Sequence, residues 1–212
     1  MFVYAKRIRD VTSSEKGVVG TNSPDRLPPG QTLTEKWPIL TYGKTQTIEK
    51  ADFRFQVVGM VERELTLTFD DLLAFPRTIL TADFHCVTGW SRYDNAWEGV
   101  LVRDVLREAG LTSDATHAMA YTYGNYTTNL SLQTLLDDDV LLAFRHDGDD
   151  LEPDHGGPLR LVVPKIYAYK SAKWVRGFEV LAADEPGFWE RGGYHWTGDP
   201  WQEQRFGRPF FP

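Results

Sequence analysis

Apolar and polar positions change period several times along this chain. Phe53, Phe55 and Val57 alternate with Arg54 and Gln56, which predicts a half-buried strand. Leu65, Leu67 and Phe69 alternate with Thr66 and Thr68 in the same way. Thr68 and Asp71 have the spacing of a capping box, so a short helix is expected over 70–75, stopped by Pro76. A strand is expected over 78–86, ending on Cys86. Val102, Val105, Leu106 and Ala109 have helical spacing, with Gly110 as the stop. Further strands are expected over 119–123, 159–163 and 174–180, and a second short helix over 131–136. The tail after Pro186, rich in Trp, Gly and Pro, reads as irregular. Strands and short helices interleave without a regular βαβ repeat, so the expected class is α+β or mixed. Residues 1–30 are polar and end in Asp25-Arg26-Leu27-Pro28-Pro29-Gly30. They read as an arm or linker, which leaves 31–212 as one domain.

Charge and composition narrow the function. A formal net charge of -7 without a basic run argues against nucleic acid and anionic membrane as partners. No segment approaches the roughly 20 apolar residues of a membrane span. No signal peptide is visible, so a cytoplasmic location is expected. One cysteine excludes an internal disulfide, and one Cys with five scattered His makes a structural zinc site a poor expectation.

Three segments carry candidate chemistry. Cys86, in His85-Cys86-Val87-Thr88-Gly89-Trp90-Ser91, stands where a predicted strand enters a loop. A thiolate there would be a soft ligand for a redox metal. The residue alone also fits a small buried hydrophobe, or a nucleophile with His117, His146, His155 or His195 as base. The second segment is His155-Gly156-Gly157-Pro158-Leu159-Arg160, followed by Lys165 and Lys170-Ser171-Ala172-Lys173-Trp174. Its glycines let backbone approach a ligand, and Arg160 and Lys173 suit a phosphate. A hairpin turn with two solvated cations explains the same residues. The third, from Phe188 to Trp196, suits a pocket wall with Tyr194 as its polar tip, or plain aromatic packing. Ser13-Ser14-Glu15-Lys16 and Asp137-Asp138-Asp139 look like catalytic or metal motifs but lack the surroundings.

Together, and in this order, these segments with Trp97-Glu98-Gly99-Val100 resemble the molybdopterin-binding domain of the sulfite oxidase family, from about Trp37 to Phe206. The likeness is greatest to small stand-alone bacterial members, which resemble the catalytic subunit of a periplasmic protein-methionine-sulfoxide reductase. The resemblance implies a mixed-sheet domain holding molybdenum through the pterin dithiolene and one cysteine, Cys86. It implies that His155 and Arg160 contact the pterin and its phosphate, and that Ser171, Ala172 and Lys173 close over the cofactor. Thr122, Tyr42 and Gly43 fall near further cofactor contacts. Tyr194 matches a tyrosine facing the exchangeable oxygen.

The departures are specific. Sulfite oxidases carry two arginines just after the cysteine, where this chain has Trp90 and Ser91, near Arg92. They carry another in the N-terminal loop, where Tyr42 stands with Lys44 close by. The cofactor is therefore the firmer expectation, and sulfite is not singled out. The implied activity is two-electron oxygen-atom transfer on a small oxo-anion or sulfoxide-like substrate. It needs an electron donor or acceptor and no haem in this chain. A non-catalytic molybdopterin carrier or interaction module, and a cysteine hydrolase, are the alternatives.

Overall fold

The computed structural model describes residues 26–207. The Ser13–Lys16 motif and most of the polar arm lie outside them. In chain order the elements are β1 (Thr32–Leu33), β2 (Arg54–Gly59), β3 (Leu65–Thr68), α1 (Phe69–Leu73), β4 (Arg77–Cys86), β5 (Trp90–Leu101) and α2 (Val102–Ala109). They continue as β6 (His117–Thr122), β7 (Thr127–Ser131), α3 (Leu132–Leu135), β8 (Leu141–His146), β9 (Asp149–Asp150), β10 (Arg160–Val162), β11 (Val175–Leu181) and α4 (Phe188–Arg191).

Two mixed sheets with few helices make this an α+β fold. One runs β1-β5-β8-β10, with β4 paired to β5 and β9 to β8. The other runs β3-β2-β11-β6-β7. The β2–β11 and β1–β5 pairs are parallel and the remaining pairs antiparallel.

The predicted alternation of β2 is realised: Phe53, Phe55 and Val57 are fully buried while Arg54 and Gln56 face out. These side chains meet Val105 and Leu106 of α2 and Phe178 of β11 in the larger core. The Thr68–Asp71 capping box opens α1 as expected. Gly110 ends α2 at φ +72.

Besides the two-residue strands β1 and β9, three longer strands escaped the hydrophobic pattern. β5 contains Asp94 and Asn95 where a strand prefers apolar residues, yet Asn95 is buried and bonds to the Ala82 and Arg92 carbonyls. β8 is a short apolar run covered on both faces, which has no period to read. β7 opens with the polar run Thr127-Thr128-Asn129, and Thr128 and Asn129 are buried against Glu190 and Lys170. The tail is not wholly irregular, since 188–191 forms α4.

The long β4–β5 hairpin is the element that matters for the site. Beside it lies a second core of Leu80, Phe84, Trp97, Leu141 and Val162, with Trp37 and Trp90 packed against it. The described end of the arm docks here too. Arg26 pairs with buried Asp83 at 2.6 Å and with Asp94 at 2.7 Å.

Candidate cofactor site

Cys86 ends β4 and is paired across the hairpin with Trp90. Its sulfur is buried and lies 3.1 Å from Thr88 Oγ1. Burial pushes the thiol up from its ordinary range, against the opposing pull of Thr88 and of the Arg205 charge. Among the described residues the hydrogen-bond partner of this sulfur is Thr88, and no histidine is bonded to it. His85 points across the strand, with Nδ1 2.8 Å from Ser91 Oγ.

The sulfur opens into a cavity of about 350 Å³. The same cavity is lined by His155, Arg160, Ser171, Ala172 and Lys173. Backbone packing produces this convergence. A Cβ on Gly156, at φ +103, would come within 3.0 Å of Lys173 Cα, so the bare glycine lets the two segments touch.

Arg160, the first residue of β10, is buried with no carboxylate against it among the described residues. Its Nη1 donates to the His155 carbonyl at 2.8 Å and its Nη2 to the Ser171 carbonyl at 3.0 Å. Its Nε has no partner. The rings of Trp37, Phe84 and Trp97 surround it, their centroids 5.3–5.5 Å from the guanidinium carbon. Desolvation pulls its pKa down to about 9.

Lys173 donates to Thr41 Oγ1 at 2.8 Å and to the Asp154 carbonyl at 2.6 Å. Burial, then the Arg160 charge, lowers it to about 8. His155 stacks on Trp37 at 3.8 Å and is lowered to about 4 by burial, then by Arg160 and Lys173. Two desolvated cations beside a neutral imidazole make a site that lacks an anion.

Tyr194 closes another side of the cavity, its ring against Trp189, Phe206 and Tyr169. Tyr42 lies at the mouth and packs on Phe188 at 4.5 Å. Two expected contacts fall elsewhere. Gly43 follows Tyr42 into open space and is not on the cavity wall. Thr122 is buried but turned inward. Its hydroxyl donates to the Tyr126 carbonyl at 2.9 Å and accepts from the Gly124 and Tyr126 amides. It holds the β6–β7 turn, and the cavity wall nearby is Tyr126 instead.

Trp37, Trp90, Tyr169 and Trp174 also line the cavity. Trp90 and Trp174 stood in the quoted segments with no cofactor role assigned, while Trp37 and Tyr169 were not singled out for the site. The Asp137–Asp139 run is bound to cations, through Arg103 and Asp138, and through Lys165 to Asp137 at 2.9 Å and Asp139 at 3.4 Å.

Among the described residues no group of three or more His, Cys, Asp or Glu can hold a metal. Any metal at Cys86 must therefore bring most of its own ligands, as a dithiolene-bearing pterin does. The donor set fits such a group: one cavity is lined by a soft sulfur, by cations without a carboxylate partner among the described residues, and by aromatic faces.

A fold of this kind, with a thiol and buried cations lining one cavity, has the make-up of a cofactor-dependent redox domain. The model of the oxidoreductase molybdopterin binding domain matches residues 42–189, and the chain belongs to that family, an oxidoreductase of the sulfite oxidase type. It is 46% identical over 182 residues to the uncharacterized oxidoreductase YuiH of Bacillus subtilis, covering 85% of this chain and 92% of that one. It is 30% identical over 173 residues to a protein named as a protein-methionine-sulfoxide reductase subunit, YedZ1, of Azospira oryzae (80% and 66%). The sulfane dehydrogenase SoxCD of Paracoccus pantotrophus superposes with TM-score 0.62 at 28% identity. That alignment covers 70% of this chain and 42% of the SoxCD chain. No helix among the described residues is long and apolar enough to cross a membrane.

The histidines give the first prediction. His146, lowered to about 4 mainly by burial, and His155, also about 4, stay neutral in the folded chain where the ordinary value is 6.5. Between these values the unfolded chain binds protons that the folded chain refuses. Stability should therefore fall as pH drops from 6.5 towards 4, and this contribution should level off below 4. Urea unfolding across that window should show the slope, and His146→Gln should reduce it.

Proposed function

We propose that this chain uses a molybdenum–pterin cofactor, ligated by Cys86, to reduce a small neutral sulfoxide-like substrate. The observation that carries the reading is that one cavity is lined both by Cys86 and by the cations Arg160 and Lys173, neither of which has a carboxylate partner among the described residues. When bound, the cofactor supplies two-electron oxygen-atom transfer. Arg160 and Lys173 hold its phosphate, with His155 against the pterin. Tyr42, Ser171 and Ala172 form the walls that orient it.

The choice of substrate class follows from what remains once those cations are committed to the phosphate. Trp90 presents a ring to the cavity. Ser91 is fully buried and bonded to His85 and Gln31. Arg92 turns away to Asp147 at 2.5 Å and to the Glu35 carbonyl at 3.3 Å. The remaining lining is rich in aromatic side chains, Trp90, Tyr169, Trp189 and Tyr194 among them, which suits a neutral S=O group with an apolar flank better than sulfite. The Azospira relative carries a name of the same substrate class. The balanced reaction takes two electrons from an external donor and two protons, and releases the thioether and water. Tyr194 would hydrogen-bond the oxygen being transferred.

With reduced viologen as donor, the loaded enzyme should reduce methyl phenyl sulfoxide. With ferricyanide as acceptor, it should oxidise sulfite with a far lower kcat/KM. Tyr194→Phe should lower kcat for the sulfoxide by about 10²-fold, the usual effect of losing one such donor. A kcat/KM for sulfite exceeding that for sulfoxides would overturn the substrate assignment.

A further inference from the structure

Once a thiolate is assigned to a metal, the groups that touch its sulfur acquire a role. The backbone around Cys86 is fixed from several directions. The Gly89 amide donates to the Cys86 carbonyl at 3.0 Å, and Gln31 Nε2 donates to the same oxygen at 3.1 Å. The Thr32 amide holds the Gly89 carbonyl at 2.8 Å, and the Arg205 guanidinium holds the Val87 carbonyl. Within this frame Thr88 is largely exposed on its outer side, yet its hydroxyl turns in to the sulfur at 3.1 Å. Its amide faces the same sulfur.

In a free thiol, either the S–H or the O–H can donate. A metal-bound thiolate has no proton and only accepts. We infer that Thr88 is a positioning residue for the metal ligand: its hydroxyl donates to the bound Cys86 thiolate and limits the charge the sulfur gives to the metal. The inference rests on Cys86 being the ligand. Hydrogen bonds to ligating sulfurs are among the levers that set potential at other thiolate-bound centres, and removing one leaves the sulfur a stronger electron donor.

Thr88→Val keeps the β-branch and the amide and deletes only the hydroxyl. Thr88→Ser restores the hydroxyl. Both variants and the parent are loaded with cofactor, and each reading is taken per bound molybdenum. Thr88→Val should move the thiolate-to-molybdenum charge-transfer band to lower energy and make the molybdenum reduction potential more negative. Thr88→Ser should return both to the parent values. A Thr88→Val protein indistinguishable from the parent in both readings would overturn the inference, and so would a Thr88→Ser protein displaced as far as Thr88→Val. The band should vanish in Cys86→Ser. If it persists there, the ligand assignment itself fails, and the role of Thr88 with it.

Discussion

Arg160→Met should leave the cofactor-free protein at least as stable as the parent while lowering its affinity for the molybdenum–pterin group by roughly 30- to 4,000-fold. The two halves of this expectation have the same cause. Without an anion, Arg160 is a buried charge among three aromatic rings, held only by two carbonyls and with Nε unpartnered. Replacing an uncompensated buried charge with an apolar side chain of similar length is neutral or stabilising. If Arg160 holds the cofactor phosphate as proposed, the same guanidinium would complete a desolvated, charge-assisted pair. Truncating one side of such a pair costs about 2–5 kcal/mol, which at 1.4 kcal/mol per tenfold gives the range above. Thermal unfolding of the cofactor-free variants, and pterin retained through gel filtration, measure the two halves separately. An Arg160→Met protein that keeps its full pterin content would place the phosphate elsewhere.

The second large effect concerns stability. Lys170→Met should cost about 3–5 kcal/mol of folding free energy, because it strands a buried carboxylate. Lys170 Nζ sits 2.6 Å from Glu190 Oε1, with both side chains almost completely buried. It also donates to Asn129 Oδ1 at 2.7 Å and to the Asn129 carbonyl at 2.9 Å. Thr128 donates to the same Glu190 oxygen at 3.0 Å. Burial pulls the Lys170 ammonium down, and Glu190 opposes it. The pair joins two parts of the site. Lys170 immediately precedes the Ser171–Lys173 segment, and Glu190 stands on α4 beside Trp189. Glu190→Gln should lose stability for the complementary reason. The double change Lys170→Met with Glu190→Leu should recover most of it, and urea unfolding of the single and double variants reads the coupling. Equal losses in the single and double variants would mean that packing, not charge, carries the effect.

Legibility in the sequence followed how local each signal is. The capping box at Thr68, the α2 spacing to Gly110 and the β2 alternation were readable because each is written within a few residues. β5 was not, because its polar residues are satisfied by bonds that only the folded hairpin supplies, such as Asn95 to the Ala82 carbonyl. The family resemblance brought Cys86, His155, Arg160, Ser171, Ala172, Lys173 and Tyr194 together, and all seven line one cavity. It placed Thr122, at the end of β6, and Gly43, in a loop, less well. Trp37 could not be read at all. It lies in a loop with no periodicity, and its importance comes from stacking on His155 and covering Arg160 across the fold.

The central claim is that Cys86 is the protein's ligand to molybdenum in a pterin site. X-ray absorption at the molybdenum edge tests it most directly, on loaded parent and loaded Cys86→Ser protein matched for pterin content. The account predicts molybdenum in the parent, with one sulfur neighbour fewer in Cys86→Ser and the pterin retained. An unchanged sulfur shell in the variant, or no molybdenum in parent protein that carries its pterin, would contradict it.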